Sequence, residues 1–165
     1  MTGLLGVDLG ERRIGIALAE DEASSARPLT TLRRARAPER DAEALQALIE
    51  AHGIGELIVG LPLEAAGHEG SQAAITRTWL EAIRTHVGVR ISLRDERLSS
   101  YLAETRLGPM KRGRSGGPPS KTQRDAYRAR VDREAATIIL QDELDTRAGR
   151  RASMTRTPDR QETSP

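Results

Sequence analysis

An acidic residue inside a short apolar strand restricts this chain more than any other feature. Gly6-Val7-Asp8-Leu9-Gly10 and Arg12-Arg13-Ile14-Gly15-Ile16-Ala17 read as two strands joined by a tight turn, with Asp8 inside the first. Strands disfavour aspartate, and a carboxylate buried beside a sheet is strongly destabilising unless paired or bound to a cation. Two readings are open here. Asp8 is a turn residue, with Gly10 supplying a positive φ, or it belongs to a site completed elsewhere in the chain.

The pattern that follows supplies a sheet for this hairpin. Residues 4–9 and 14–19 predict strands, and 29–32 predict a third that pairs with the second. Pro38 opens a helix with Ala42, Leu45, Leu48 and Ile49 at helical spacing, closed at His52-Gly53. Residues 57–61 form a continuous apolar run, as in a strand buried on both faces, and Pro62 ends it. A second helix carries Ile75, Trp79, Ala82 and Ile83 on its expected buried face. Residues 89–93 read as a fifth strand, and a short helix holding Leu98, Leu102 and Ala103 stops at Gly108-Pro109.

Residues 108–119, rich in Gly, Pro, Lys and Arg, predict a mobile basic loop. Ser120 and Gln123 form a capping box for a long final helix whose core face is Val131, Ala135, Ile138, Ile139 and Leu140. From 147 to 165 the chain is polar and without apolar period, which predicts a disordered tail. The expectation is one α/β domain over 1–146: a mixed sheet, antiparallel in strands 1–3 and parallel in strands 4–5, flanked by helices.

Composition excludes several classes. The 165 residues contain no cysteine, so a disulfide framework or thiolate metal site is ruled out. No apolar run approaches the ~18 residues of a membrane span, and no signal peptide opens the chain, so a cytoplasmic location is expected. The net charge of +2 conceals segregation of sign. Nine Lys or Arg between positions 106 and 133 face only Asp125 and Asp132, while seven acids between 39 and 69 face only Arg40. Such a layout points to a polyanionic partner.

Two further acids share the oddity of Asp8. Glu96 lies just past the C-terminal end of the fifth strand, where sites gather in open sheets. Asp132 precedes Ala135, Ala136 and Ile139 at i+3, i+4 and i+7, so its side chain faces the sheet. Asp132 pairing with Arg128 and a solvated Glu96 are the structural alternatives. Convergent, the three acids would raise each other's pKa values, and a hard divalent cation, Mg²⁺ or Mn²⁺, resolves that repulsion. Two such ions roughly 3.5–4 Å apart form a clamp for phosphodiester cleavage. Arg13 and Arg97, beside Asp8 and Glu96, are candidate phosphate contacts. Lys111, Arg112 and Arg114 are candidates for backbone binding through the basic loop.

At these residues the chain resembles the YqgF family, also called RuvX, Holliday junction resolvases now regarded as pre-16S ribosomal RNA nucleases. The matching pieces are Gly6-Val7-Asp8-Leu9-Gly10 with Arg13-Ile14-Gly15-Ile16-Ala17, Ile58-Val59-Gly60-Leu61-Pro62 with Gly67, Asp95-Glu96-Arg97-Leu98-Ser99-Ser100, and Val131-Asp132 with Ala135-Ala136. The resemblance implies a ribonuclease-H-like fold and places catalytic, metal-binding roles on Asp8, Glu96 and Asp132. It departs at Ala19-Glu20, where Ser-Asp is usual, at Ala66, where an acid is common, and in a longer, more basic segment from Gly108 to Gln123. A metal-dependent nuclease acting in 5′-end maturation of pre-16S rRNA is therefore expected, on structured RNA or branched DNA. Ribosomal particles are expected partners, and the protein would be a monomer or homodimer. A nucleotide-binding ATPase-like protein and a non-catalytic nucleic-acid adaptor are the competing classes.

Overall fold

The computed structural model describes residues 2–156. Its elements are β1 (Gly3–Leu9), β2 (Arg13–Ala19), β3 (Arg27–Arg33), α1 (Pro38–His52), β4 (Ile54–Pro62), α2 (Ser71–Arg84), β5 (Arg90–Glu96), α3 (Ser99–Leu107) and α4 (Lys121–Thr155). The strands form one sheet in the order β3-β2-β1-β4-β5. Pairs β1–β2 and β2–β3 are antiparallel, and β1–β4 and β4–β5 are parallel.

Strand alternation sorts β1 into two faces. Leu5 and Val7 join a core with Ile16, Leu45, Leu57, Val59, Trp79 and Ile83, covered by α1 and α2. Leu4 packs on the other face with Ala17, Ile58, Ala136, Ile139 and Leu140, covered by α4. Gly6 and Asp8 share the face of Leu4, so Asp8 lies on the α4 side.

That side is floored with small residues, and α4 rests almost directly on the backbone of the sheet. A Cβ on Gly6 would lie 2.6 Å from the Ala136 carbonyl oxygen, and one on Gly60 would lie 2.5 Å from Ile139 Cδ1. A Cβ on Gly15 would overlap the Asp132 carbonyl oxygen. These glycines are required for contact, not for backbone conformation, since none has a positive φ.

Several expectations are corrected. Gly10 has no positive φ; its N–H donates to the Arg13 carbonyl at 2.8 Å, and a Cβ would lie 2.7 Å from that same oxygen. β5 continues to Glu96 because β4 extends beside it to Pro62, so Glu96 ends the strand instead of following it. On α2 the buried line is Ala73, Thr76, Trp79, Leu80 and Ile83, while Ile75 is 43% exposed at its flank.

The final helix does not stop near 146. α4 runs to Thr155 with the Ser120–Gln123 capping box at its start. Its continuation is held by Arg147, which donates to Glu22 Oε1 at 2.7 Å, Glu56 Oε1 at 2.9 Å and Glu143 Oε1 at 2.9 Å. Burial alone would raise the Glu56 carboxyl, but hydrogen bonds from Arg147 and Ser92 outweigh it and hold the pKa below its ordinary value. The rest of the expected tail, 157–165, lies outside the described residues. Residues 108–119 form neither helix nor strand.

The glycine floor yields a contrast. Gly15→Ala should destabilise by about 3 kcal/mol or more, since backbone opposes backbone there and neither can yield locally. Gly53→Ala, at φ 63 with open space around it, should cost only about 1–2 kcal/mol of left-handed strain. Urea unfolding of both variants, followed by circular dichroism, measures the difference.

Candidate active site

The glycine floor that seats α4 also assembles three carboxylates. Asp8 pairs across the ladder with Gly15. Because Gly15 has no side chain, the α4 backbone at Asp132 descends onto it and sets the Asp132 carboxylate beside Asp8. Glu96 ends β5 in register with Pro62 and shares the face of Gly60. Asp8, Glu96 and Asp132 therefore line one cleft of about 250 Å³ at the C-terminal edge of the parallel strands, with Gly10, Gly60 and Arg97.

Each carboxylate is differently held. Asp132 Oδ2 accepts from Arg13 Nε at 2.6 Å, not from Arg128. Glu96 Oε1 accepts from the backbone N–H groups of Arg97 at 3.2 Å and Leu98 at 3.1 Å, at the entrance to α3. Asp8 accepts no hydrogen bond among the described residues. Burial first, then the charges of Asp132 and Glu96, push the Asp8 carboxyl from an ordinary 3.8 up to about 7. The acids thus converge closely enough to feel one another electrostatically. Among the described residues, however, no three acidic or histidine side chains are disposed as they stand to hold one metal ion together.

The basic candidates divide. Arg13 is engaged with Asp132. Arg97 lines the cleft, and its guanidinium lies against Gly67, where a Cβ would meet Nη2 at 2.6 Å. Lys111, Arg112 and Arg114 are exposed on a loop closed on itself by the Gly113 N–H donating to the Gly117 carbonyl at 3.1 Å. They do not line the cleft. Tyr101, 66% exposed, stands at the rim of the cleft. Sequence reading also passed over a groove of about 860 Å³ containing Arg33, Arg34 and Arg36. The run Arg33-Arg34-Ala35-Arg36 is its legible signal.

The family profile described as "RuvX: Holliday junction resolvase" matches residues 2–146. The chain belongs to the RuvX family. A relative from Anaeromyxobacter sp. (strain Fw109-5), named "Putative pre-16S rRNA nuclease", is 42% identical over 143 residues, covering 87% of this chain and 96% of its own. A relative of the same name from Chloroflexus aggregans (strain MD-66 / DSM 9485) is 39% identical over 144 residues, covering 87% and 94%. Among solved structures, "T. thermophilus RuvC in complex with Holliday junction substrate" superposes with a TM-score of 0.50 at 14% identity, covering 90% of this chain and 97% of that one. That likeness carries the fold alone, and it agrees with the expected ribonuclease-H-like α/β sheet. As a RuvX-family member the protein is a nuclease, a hydrolase of phosphodiester bonds. Among the described residues no helix is long and apolar enough to cross a membrane.

The raised Asp8 pKa makes a stability prediction. The folded protein binds this proton more tightly than the unfolded chain, so stability falls as pH rises from about 4 to 7 and then levels. Asp8→Asn removes the penalty, which with solvent reaching the cleft is about 1–2 kcal/mol. In metal-free buffer at pH 8 the variant should melt roughly 3–6 °C above wild type, and the gap should close by pH 4. Calorimetric scans across that range check it.

Proposed function

We propose that the Asp8–Glu96–Asp132 cleft is the catalytic centre of a Mg²⁺- or Mn²⁺-dependent nuclease that matures the 5′ end of pre-16S rRNA. The observation that carries this reading is the arrival of three carboxylates from β1, β5 and α4 in one cleft, where burial first and then the charges of Asp132 and Glu96 raise the Asp8 pKa to about 7. The substrate class is taken from the relatives' names. The enzyme would act in the cytoplasm, on RNA within ribosomal particles, as a monomer or homodimer.

The donor set suits a hard cation. Both Asp8 oxygens, Glu96 Oε2 and Asp132 Oδ1 accept no hydrogen bond among the described residues, and no histidine or cysteine lines the cleft. When bound, such cations would activate water and stabilise charge on the phosphate and the departing 3′ oxygen. The remaining work falls to the chain. Asp8, which feels both other acids and accepts no hydrogen bond among the described residues, is the carboxylate that a cation would relieve most. Arg13 holds Asp132 by one oxygen and leaves the other without a hydrogen-bond donor among the described residues. The amide N–H groups of Arg97 and Leu98 do the same for Glu96. Arg97, which lines the cleft, would meet a phosphate next to the scissile one, and Lys111, Arg112 and Arg114 would contact backbone phosphates farther out. Hydrolysis adds water across the P–O3′ bond, leaving a 5′-phosphate and a 3′-hydroxyl.

The family description favours a second substrate, a four-way DNA junction. Cleavage of precursor rRNA and of such a junction should be compared with Mg²⁺, Mn²⁺ or EDTA present. EDTA should abolish activity. Asp8→Asn should reduce the rate at least ~10²–10³-fold, the scale of losing one electrostatic stabiliser, with substrate binding nearly unchanged. A variant that cuts like wild type would overturn the site.

A further inference from the structure

We propose that the nucleic-acid backbone leaving the acid cleft crosses the β1–β2 turn and runs along a preformed arginine groove beside β3. This rests on the nuclease reading above and adds the path of the flanking strand. The cleft, a saddle and the groove are contiguous. The saddle of about 320 Å³ shares Gly10 and Asp132 with the cleft, and shares Glu11, Arg12 and Arg13 with the groove of about 860 Å³.

The groove is strongly cationic. Arg12, Arg33, Arg34, Arg36, Lys121 and Arg133 line it, opposed by Glu11 and Asp125. Asp125 lies 3.4 Å from Lys121. Arg12, Arg33 and Arg36 meet no carboxylate and donate no side-chain hydrogen bond among the described residues. Arg33 also stands directly opposite Arg13 in the β2–β3 ladder, and like charges in that position are destabilising. Arg13 is neutralised by Asp132; Arg33 has no such partner among the described residues. Charge on an edge strand also discourages edge-to-edge pairing. Arg34 and Arg36, however, lie beyond the end of β3, where there is no strand edge to guard.

The arginine segment is also rigidly held. Asp41, 3% exposed, accepts the Ala35 N–H at 2.8 Å with one oxygen and the Trp79 indole N–H at 2.9 Å with the other. The Arg34 N–H donates to the Arg12 carbonyl at 2.9 Å, and Arg34 Nη1 donates to the Gly10 carbonyl at 3.1 Å. A buried acid and the core tryptophan thus fix residues 34–36 against the turn that follows Asp8. Such preorganisation removes ordering cost from binding. No aromatic side chain lines the groove, so it suits repeated backbone phosphates and not bases.

The test is Arg33→Gln/Arg36→Gln in the full chain, beside a control pair of equal charge loss, Arg40→Gln/Arg84→Gln, on α1 and α2. Fluorescence anisotropy with a long labelled RNA at several salt concentrations reads binding without requiring cleavage. The groove pair should lose about 2 from the slope of log K against log salt. Its KM for the long substrate should rise about tenfold, with kcat on a short oligonucleotide confined to the cleft unchanged. The control pair should behave as wild type. A wild-type slope in the groove pair, or an equal loss in the control pair, overturns the proposal. If wild type cleaves neither substrate while the groove pair still loses slope, the groove stands as a binding surface and the nuclease reading of the cleft falls.

Discussion

The structure depends on one close approach, the α4 backbone lying on the bare backbone of β1 and β2, with the Ile139 side chain seated on β4 at Gly60. Gly6, Gly15 and Gly60 make that approach sterically open, and the small side chains of Ala17 and Ala136 fill the interface around it. Most helix-on-sheet contacts are spaced by large side chains. Here the spacing is collapsed, so a carboxylate on the helix reaches the level of a carboxylate on the strand. Packing and chemistry are therefore one feature: the glycine that lets α4 sit down is the ladder partner of Asp8.

Three acids gathered in this way are electrostatically unfavourable, and the fold answers each differently. Arg13 neutralises Asp132, backbone N–H groups at the entrance to α3 hold Glu96, and among the described residues Asp8 has neither. The strain concentrates on the residue with the fewest alternatives, as expected of a site arranged for an outside cation. The groove beside β3 repeats this logic with the opposite sign. Its arginines are held by Asp41 and the hairpin turn, yet among the described residues three guanidiniums have no partner. One end of the molecule gathers three carboxylates and the adjoining surface a run of arginines, a pairing that would suit metal ions and a polyphosphate chain.

Much of this was legible in the sequence because it rests on local pattern. Alternation in β1 and β2, the glycine end of α1 and the Ser120–Gln123 capping box each act within a few residues, and the structure shows them where expected. The convergence of Asp8, Glu96 and Asp132 followed from their positions at element ends. What escaped is tertiary. α4 outlasts its apolar period because Arg147 bonds to Glu56, 91 positions earlier, a partnership that no local window contains. Ile75 lies at the flank of α2 because the sheet is met along the line through Ala73, Thr76 and Ile83. The arginine groove needed β3, the hairpin turn and α4 in one place, although its run at 33–36 was visible. Gly10 was expected to supply a positive φ and instead supplies clearance for the Arg13 carbonyl.

We propose Asp8, Glu96 and Asp132 as a single cation-binding centre. Its most direct test is a crystal grown or soaked in Mn²⁺, with data collected at the manganese edge. An anomalous peak is expected in the cleft about 2.1 Å from an Asp8 oxygen, shared with Glu96 or Asp132. Saturating Mn²⁺ with no anomalous peak at Asp8, or with peaks only at other carboxylates, would contradict it.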